Sequence, residues 1–482
     1  MNVNTQNWDK RNVWPLPSGE LVVRQTLVNV ADAFATSAKK YLGGFSVKNP
    51  RTEEVWHYCL TLEIGLTTDL YLRIFPEWFD WENSSSSIEA ILLNSTTYSS
   101  GLEGLKFGFS YALVEDEIII TSPFFGTYWG IVGGGLILAA KQASGNPNTT
   151  AIEIPRGISC SWAGRSVIAT SDALHFSDAL KPRTYVAENI VNPPGGSIYG
   201  LHVNSGGALI ICTTSGVYAF PEDAAASGQV IVGIFSKLTD YETVSYDSTV
   251  SHKGRVYGLT RKGYRLIDDS GSDEYELDEK AYAHFDEPRI HFDDYRNGRI
   301  FSMPDAIVVS VAEYLHLTDM NTRLGTWWYR FSGEPAKFDL RGTLLEGNGE
   351  AVFLFYDAPA WECGNKGATI KGSITGNIQL GPENSPVLRH LDFMSDSYAT
   401  YTIHVNNTSK TKAGFANAPI VGTDTWTGGT KYREAAKRSR QTDWAIRGDD
   451  ININIDVSHY PHKIPNTVDL VFKGPGKKRP DA

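Results

Sequence analysis

The chain has 482 residues, 41% of them hydrophobic and 21% charged, with a formal net charge of −11. That length supplies a large core and excludes a short, disulfide-stapled scaffold. The charge argues against tight, sequence-independent nucleic-acid binding, which rests on Lys and Arg neutralising phosphates.

With 45 Gly and 23 Tyr but only 4 Met, the composition suits short strands and tight turns rather than long helices. Residues 1–44 read as an N-terminal arm. Its opening, MNVNTQNWDKRN, is polar and lacks the apolar core of a signal peptide. Within the arm, ADAFATSAKKYL carries apolar residues at helical spacing and predicts a short helix.

From residue 45 to 356 the chain repeats one pattern: an apolar run, a small polar turn, a second apolar run. The turns fall near Ser122, Ser171, Ser215, Lys262, Pro304 and Asn348, and each reads as a β-hairpin. The intervals run from 42 to 49 residues with a mean near 45, the size of a four-stranded propeller blade. A further hairpin, TLEIGLTTDLYLRIF, turns near Thr68 at a looser interval of 54. The second hairpin of a unit is visible in YLHLTDMNTRLGTWWYRF, directly after the Pro304 turn. Runs such as LIIC, VIA and IVVSV are apolar without alternation, as in strands covered on both faces. Gly164-Arg165, Gly254-Arg255 and Gly298-Arg299 read as punctuation at the start of each unit's first strand, with ligand-binding arginines as the alternative. Together these features predict an all-β fold centred on a β-propeller over 45–356, with six blades and seven as the alternative.

Several segments of this region invite chemistry. GIVGGGLILAA at 130–140 is too short to cross a bilayer, and no Lys-Ser or Lys-Thr follows its glycines to make a phosphate cradle. Cys59, Cys160, Cys212 and Cys363 lie far apart with no CxxC pair, which speaks against structural zinc. Cys160 and Cys212 sit in apolar runs and read as small buried hydrophobes. The acidic run at 268–279 departs from the spacing of a calcium loop and reads as solvated. His284 and His291 stand near Asp286, Glu287, Asp293 and Asp294; a metal or acid–base role is weighed there against ordinary loop and edge-strand residues, and the latter is adopted. The sequence contains no GxSxG, HExxH, Walker or GxGxxG motif. The expectation is a protein that is not an enzyme, without catalytic, cofactor-binding or metal-binding residues. Among the aromatic clusters, Trp327 and Trp328 are expected in the core, while Trp78 and Trp81 are open between core and surface.

Beyond 357 the turn spacing is lost, but the chain still reads as β. In DDININIDVSH, Ile451, Ile453, Ile455 and Val457 share one face, with TVDLVFK as a partner strand. Residues 357–473 are therefore expected to form a C-terminal β-sandwich-like domain, followed by a disordered tail at 474–482. The basic run at 431–440 supplies Lys431, Arg433, Lys437, Arg438 and Arg440. These residues form either a solvated, short helical face or a contact with DNA or an acidic partner.

RGISCSWAGRSVIATSDALHFSDALKPRTY, followed by GGSIYGLHVNSGGALIICTTSGVYAF, resembles the propeller core of tail nozzle proteins of short-tailed bacteriophages. That class includes tail tubular protein B and packaged-DNA stabilisation proteins. The shared style is a Gly-Arg strand, a hairpin ending in FSD, a linker and a strand closing on GVYAF. The likeness covers roughly residues 110–356 and more weakly the C-terminal β region. It implies a homo-hexameric ring in the virion tail, assembled in the host cytoplasm. It implies a head-to-tail adaptor ring and tail fibres or spikes as neighbours. Double-stranded genomic DNA would pass through the channel without tight binding, and no catalysis is implied. A carbohydrate-binding or glycoside-hydrolase propeller is the alternative, as is a receptor-binding or baseplate protein. The former would carry convergent aromatics or carboxylates on the propeller axis.

Overall fold

The computed structural model describes residues 2–5, 8–16, 18, 20–30, 39–64, 68–77, 89–95, 105–143, 147–221, 231, 233–260, 263–268, 297–311, 313–345, 351–356, 360–364, 370–379, 387–395, 400–407, 424–427, 437–447, 450–458, 463–464 and 467–473. These residues are almost entirely β. They divide into two compact units: Met1–Leu27, His316–Phe331 and Gly364–Ala482 form one, and Val28–Leu315 with Ser332–Cys363 form the other. The first arm expected as a separate segment is thus shared. Its residues 1–27 join the C-terminal region, because Asn2–Asn4 and Asp9–Arg11 supply strands to that region's sheets.

The larger unit is a succession of antiparallel meanders. Sheet I contains Lys39–Lys48, Val55–Ile64, Thr68–Pro76 and Glu89–Ser95; sheet II contains Ser110–Val114, Glu117–Ser122, Phe125–Ile131 and Leu136–Leu138. Sheet III contains Ile158–Trp162, Arg165–Ala169, Leu174–Asp178 and Lys181–Val191; sheet IV contains Ile198–Val203, Leu209–Thr213, Gly216–Phe220 and Ser236–Thr239. Sheet V shows Thr249–His252, Arg255–Thr260 and Gly263–Leu266, and sheet VI begins with the hairpin Arg299–Ser302 and Ala306–Val311. In sheet VII, Leu340–Leu345, Ala351–Phe355 and Ala360–Gly364 are completed by the early strand Thr26–Asn29. Val30 N–H donates to Ala360 O at 3.0 Å beside it.

Each sheet is joined to the next, and the last returns to the first. Asn49 Nδ2 donates to Val132 O between I and II (3.1 Å), and Ser159 N–H donates to Ser110 Oγ between III and II (2.8 Å). Trp162 Nε1 donates to Gly207 O between III and IV (3.0 Å), and His202 Nε2 meets Thr249 Oγ1 between IV and V (2.8 Å). His252 Nδ1 meets Ser302 Oγ between V and VI (2.9 Å), and Thr343 Oγ1 donates to Ser302 O between VII and VI (3.2 Å). Leu345 N–H donates to Ser46 Oγ between VII and I at 2.8 Å. A closed ring of small antiparallel sheets is a β-propeller. The strands written as unalternating apolar runs are buried on both faces: Leu209, Ile210, Ile211 and Cys212 are all 0% exposed.

All the expected hairpins are present, but they do not all occupy the same place in a sheet. Those turning near Ser122, Ser171, Ser215 and Lys262 join second and third strands, whereas those near Pro304 and Asn348 join first and second. The looser hairpin near Thr68 also joins second and third strands, in sheet I. The Gly-Arg pairs differ likewise. In III and V they open the second strand, and each glycine ends a two-residue turn with positive φ at both positions: Ala163 47° and Gly164 69°, Lys253 49° and Gly254 75°. That twist matches flanking strands and favours glycine. Arg165 and Arg299 are buried, and each holds its own neighbourhood: Arg165 donates to Ser177 O (2.6 Å) and Arg299 to Asp339 Oδ1 (2.9 Å). The helix expected within ADAFATSAKKYL is corrected at its end. Lys39, Lys40 and Tyr41 lie on the strand Lys39–Lys48 because they pair with Glu63, Leu62 and Thr61 across sheet I; residues 31–38 lie outside the described residues.

In the smaller unit, Asp9–Arg11, Lys371–Gln379, Asp450–Ser458, Thr400–Asn407 and Asp424–Thr427 are successive strands of one sheet. A second sheet orders Asn2–Asn4, Thr467–Lys473, Val387–Ser395 and Lys437–Arg447. Ile374, Ile453, Ile455 and Val457 of the first sheet share a core with Val468 and Leu470 of the second. The alternation seen in the sequence therefore marks a buried face. Trp327 and Trp328 are buried, as expected of core residues. Arg24 anchors the N-terminal turn: its Nε donates to Asn12 Oδ1 (3.0 Å), one Nη to Tyr329 O (3.0 Å), and its guanidinium lies 4.8 Å from the Trp328 ring centroid.

Candidate functional site

Five consecutive sheets turn their first strands, or the residues leading into them, towards a common cavity of about 460 Å³. Its wall comes from Phe45 in I, Phe109, Ser110 and Tyr111 in II, Ile158 to Ser161 in III, Tyr199 to Val203 in IV and Asp247, Thr249, Val250 and Ser251 in V. Such a cavity exists only because the ring closes: first strands of successive sheets lie side by side around the axis. Three aromatic rings make one flank, with Phe45 centred 4.7 Å from Phe109 and 4.6 Å from Tyr111. Hydroxyls make much of the rest. Ser161 Oγ accepts from Leu113 N–H (2.6 Å), and Thr249 Oγ1 meets His202 Nε2. Burial holds His202 neutral, its pKa pushed down to about 4.

Residues 105–108 lead into sheet II and bond to residues of other sheets, with Gly108 in the cavity lining. Leu105 O accepts from the guanidinium groups of Arg299 and Arg341, each at 3.2 Å. Lys106 Nζ donates to Ser245 Oγ at 2.8 Å and also to Gly298 O. Phe107 O accepts from Ser122 Oγ, and Gly108 N–H donates to the Asp247 carboxylate. This one segment therefore ties sheet II to V, VI and VII. Gly108 has a φ of 55°, and a Cβ there would lie 2.9 Å from Ile158, so this position needs a residue without a side chain.

The floor is a buried charge cluster. Arg299 and Arg341 pair with opposite oxygens of Asp339 at 2.9 and 2.6 Å. Burial, with repulsion from Arg299 and Arg341, pushes the Lys106 ammonium down to about 7, against attraction from Asp247 and Asp339. Burial likewise pushes Arg299 down to about 10 and raises the Asp247 carboxyl. Three basic groups and two carboxyls share this buried site because each is hydrogen-bonded there, and Arg299 and Arg341 are paired with Asp339 as well. Asp247 alone of the five lines the cavity.

Few of these residues were singled out in the sequence. Cys160, read as a buried hydrophobe, lines the cavity and is half-buried, while Cys212 is fully buried. Arg299, read as punctuation, belongs to the floor. Nothing local marks the others: a Ser or Thr at the head of a strand looks alike whether it faces a ring axis or solvent. Of the basic run, Lys437, Arg438 and Arg440 lie on the strand Lys437–Arg447, paired with Ser395, Met394 and Asp392; Lys431 and Arg433 lie outside the described residues. So do His284, His291 and their acidic neighbours, and Trp78 and Trp81. Among the described residues no His, Cys, Asp and Glu group is placed to hold a metal, and no helix is long and apolar enough to cross a membrane.

No protein-family model matches the chain, and no curated protein matches it. Solved structures do show likeness. YCF48 from Cyanidioschyzon merolae is 10% identical over 71% of this chain and 99% of its own, with a TM-score of 0.39. A streptogramin B lyase is 12% identical over 70% and 97%, at 0.39. The extracellular domain of a putative one-component system of B. thetaiotaomicron is 10% identical over 95% of this chain and 62% of its own, at 0.44. Likeness at this level assigns neither family nor function.

Proposed function

We propose that this chain is a structural component of a phage tail, forming the nozzle ring that retains packaged DNA and lets it pass during ejection. One observation carries the reading: the two segments that resemble nozzle proteins coincide with sheets III and IV, from Ile158 to Phe220. The Gly-Arg pair ends a positive-φ turn, and GVYAF is the third strand of a meander. The likeness thus covers the first three strands of each of these sheets in sequence and reaches into the fourth strand of III. The seven antiparallel meanders around the ring support seven blades over six, and the shared core of the smaller unit supports a sandwich-like domain.

In this reading the chain works as a homo-hexamer beneath a head-to-tail adaptor ring, with fibres or spikes docking outside. DNA runs through the channel that the copies enclose. A net charge of −11 repels phosphate over about one Debye length, roughly 10 Å at 0.1 M salt. DNA therefore slides instead of sticking, and retention falls to a gate. The test is assembly: negative-stain images of the purified chain should show six-fold rings with weak affinity for duplex DNA. A chain that stays monomeric both in solution and in virions, or binds duplex DNA tightly and salt-dependently, overturns the reading. Neutralising Lys431, Arg433, Lys437, Arg438 and Arg440 together should alter ejection if the run faces the lumen, and partner docking alone if it faces outward.

A further inference from the structure

The axial cavity has a definite chemistry. Its volume of about 460 Å³ lies within the range of roughly 300–1,000 Å³ found for small-molecule sites. The wall offers an anion no cationic side chain. Lys106, Arg299 and Arg341 are outside the lining and engaged by Ser245, Gly298, Asp339 and Leu105, so Asp247 is the one formal charge presented. A cation gains little, because those same three basic groups already compensate Asp247. His202 is neutral. What remains in the lining is a cluster of aromatic rings, serine and threonine hydroxyls and one carboxyl group. That combination suits a neutral ring compound with an apolar face and several hydroxyls.

We propose that the axial cavity binds a neutral hexose or N-acetylhexosamine unit of a glycan. Phe45, Phe109 and Tyr111 take its apolar face, and Ser161, Ser251 and Asp247 take its hydroxyls. The cavity binds the sugar without cutting it: hydrolysis of a glycosidic bond takes two carboxylates flanking that bond, and the lining offers Asp247 alone. The proposal is independent of ring assembly. A monomeric chain that binds sugar would sink the nozzle reading and leave this one standing.

The experiment is saturation-transfer NMR and calorimetry on the full chain. The probes are methyl hexosides and N-acetylhexosaminides at millimolar concentration, with glucuronate, glucosamine and indole as counterparts. At least one neutral sugar should bind, at least tenfold more tightly than its charged counterparts and indole. Val250→Phe and Ser251→Phe, which narrow the cavity, should each weaken binding at least tenfold while retaining the unfolding midpoint. In the unaltered chain, bound sugar should slow amide exchange across 108–111 and 247–251. The proposal is overturned if no neutral sugar binds, or if charged probes or indole bind equally well. It also falls if folded cavity-filling variants keep their affinity, or if exchange in those two segments is unchanged.

Discussion

At Gly342 the backbones of sheets VII and I meet: Gly342 pairs with Gly44 in the one parallel bridge between the two sheets. A Cβ on Gly342 would lie 2.6 Å from both the N and the O of Gly44, and backbone cannot swing aside as a side-chain tip does. Gly164 is a different case. Its φ of 69° disfavours any side chain, yet a Cβ there meets nothing closer than Leu180 at 3.4 Å. Gly342→Ala should therefore cost about 1–3 kcal/mol or more through overpacking at the ring seam. Gly164→Ala should cost about 1 kcal/mol through backbone strain. Urea unfolding of the two variants distinguishes them; equal shifts would show that the seam relaxes freely.

The strand that completes sheet VII comes from the other end of the sequence. Val30 is buried, and its N–H donates to Ala360 O, itself on a fully buried residue. Val30→Pro removes that donor and strands a buried acceptor, at about 1–3 kcal/mol. It should lower the urea midpoint further than Val30→Ala, which keeps the N–H; identical midpoints would show that this strand does not close the sheet. Hairpins of this kind were legible in the sequence because a polar turn between apolar runs is a local signal. Their place within a sheet was not. The interval between turns stays near 45 even where the hairpin shifts from second-and-third to first-and-second strands, as it does between Lys262 and Pro304. Sheet I escaped the count because the long connection between Pro76 and Glu89 stretches its interval. The strand Thr26–Asn29 carried no mark at all, since its partner lies more than 300 residues away.

Across the whole propeller, the floor of the cavity makes stability depend on alkaline pH. Lys106 is held at about 7, below the usual 10.5, so between those values the unfolded chain binds more protons than the folded one. Stability must then rise with pH through that window, and the full cost of burying the ammonium applies below pH 7. The groups facing Lys106 are Ser245, Asp247, Gly298, Arg299, Asp339 and Arg341. In Lys106→Met the rising component should vanish. The stability of the unaltered chain relative to the variant should climb from pH 7 to 10, by at most about 1.4 kcal/mol per pH unit. Parallel pH profiles for the two chains would show that Lys106 titrates normally. The cavity and its floor were invisible in the sequence for the reason that makes them stable: they draw on segments around residues 45, 106, 160, 200, 247, 299 and 341, which only ring closure brings together.

The clasp formed by Thr26–Asn29 and Ala360–Gly364 also has a consequence in time. The ribosome delivers the first of these strands long before the second, and at roughly 5–20 residues per second the wait is on the order of 17 to 66 s. Throughout that interval an apolar strand, Thr26–Asn29, has no permanent mate. Any nascent chain nearby offering an Ala360–Gly364 edge is a competitor for it, so crowded polysomes are where two copies would exchange clasps.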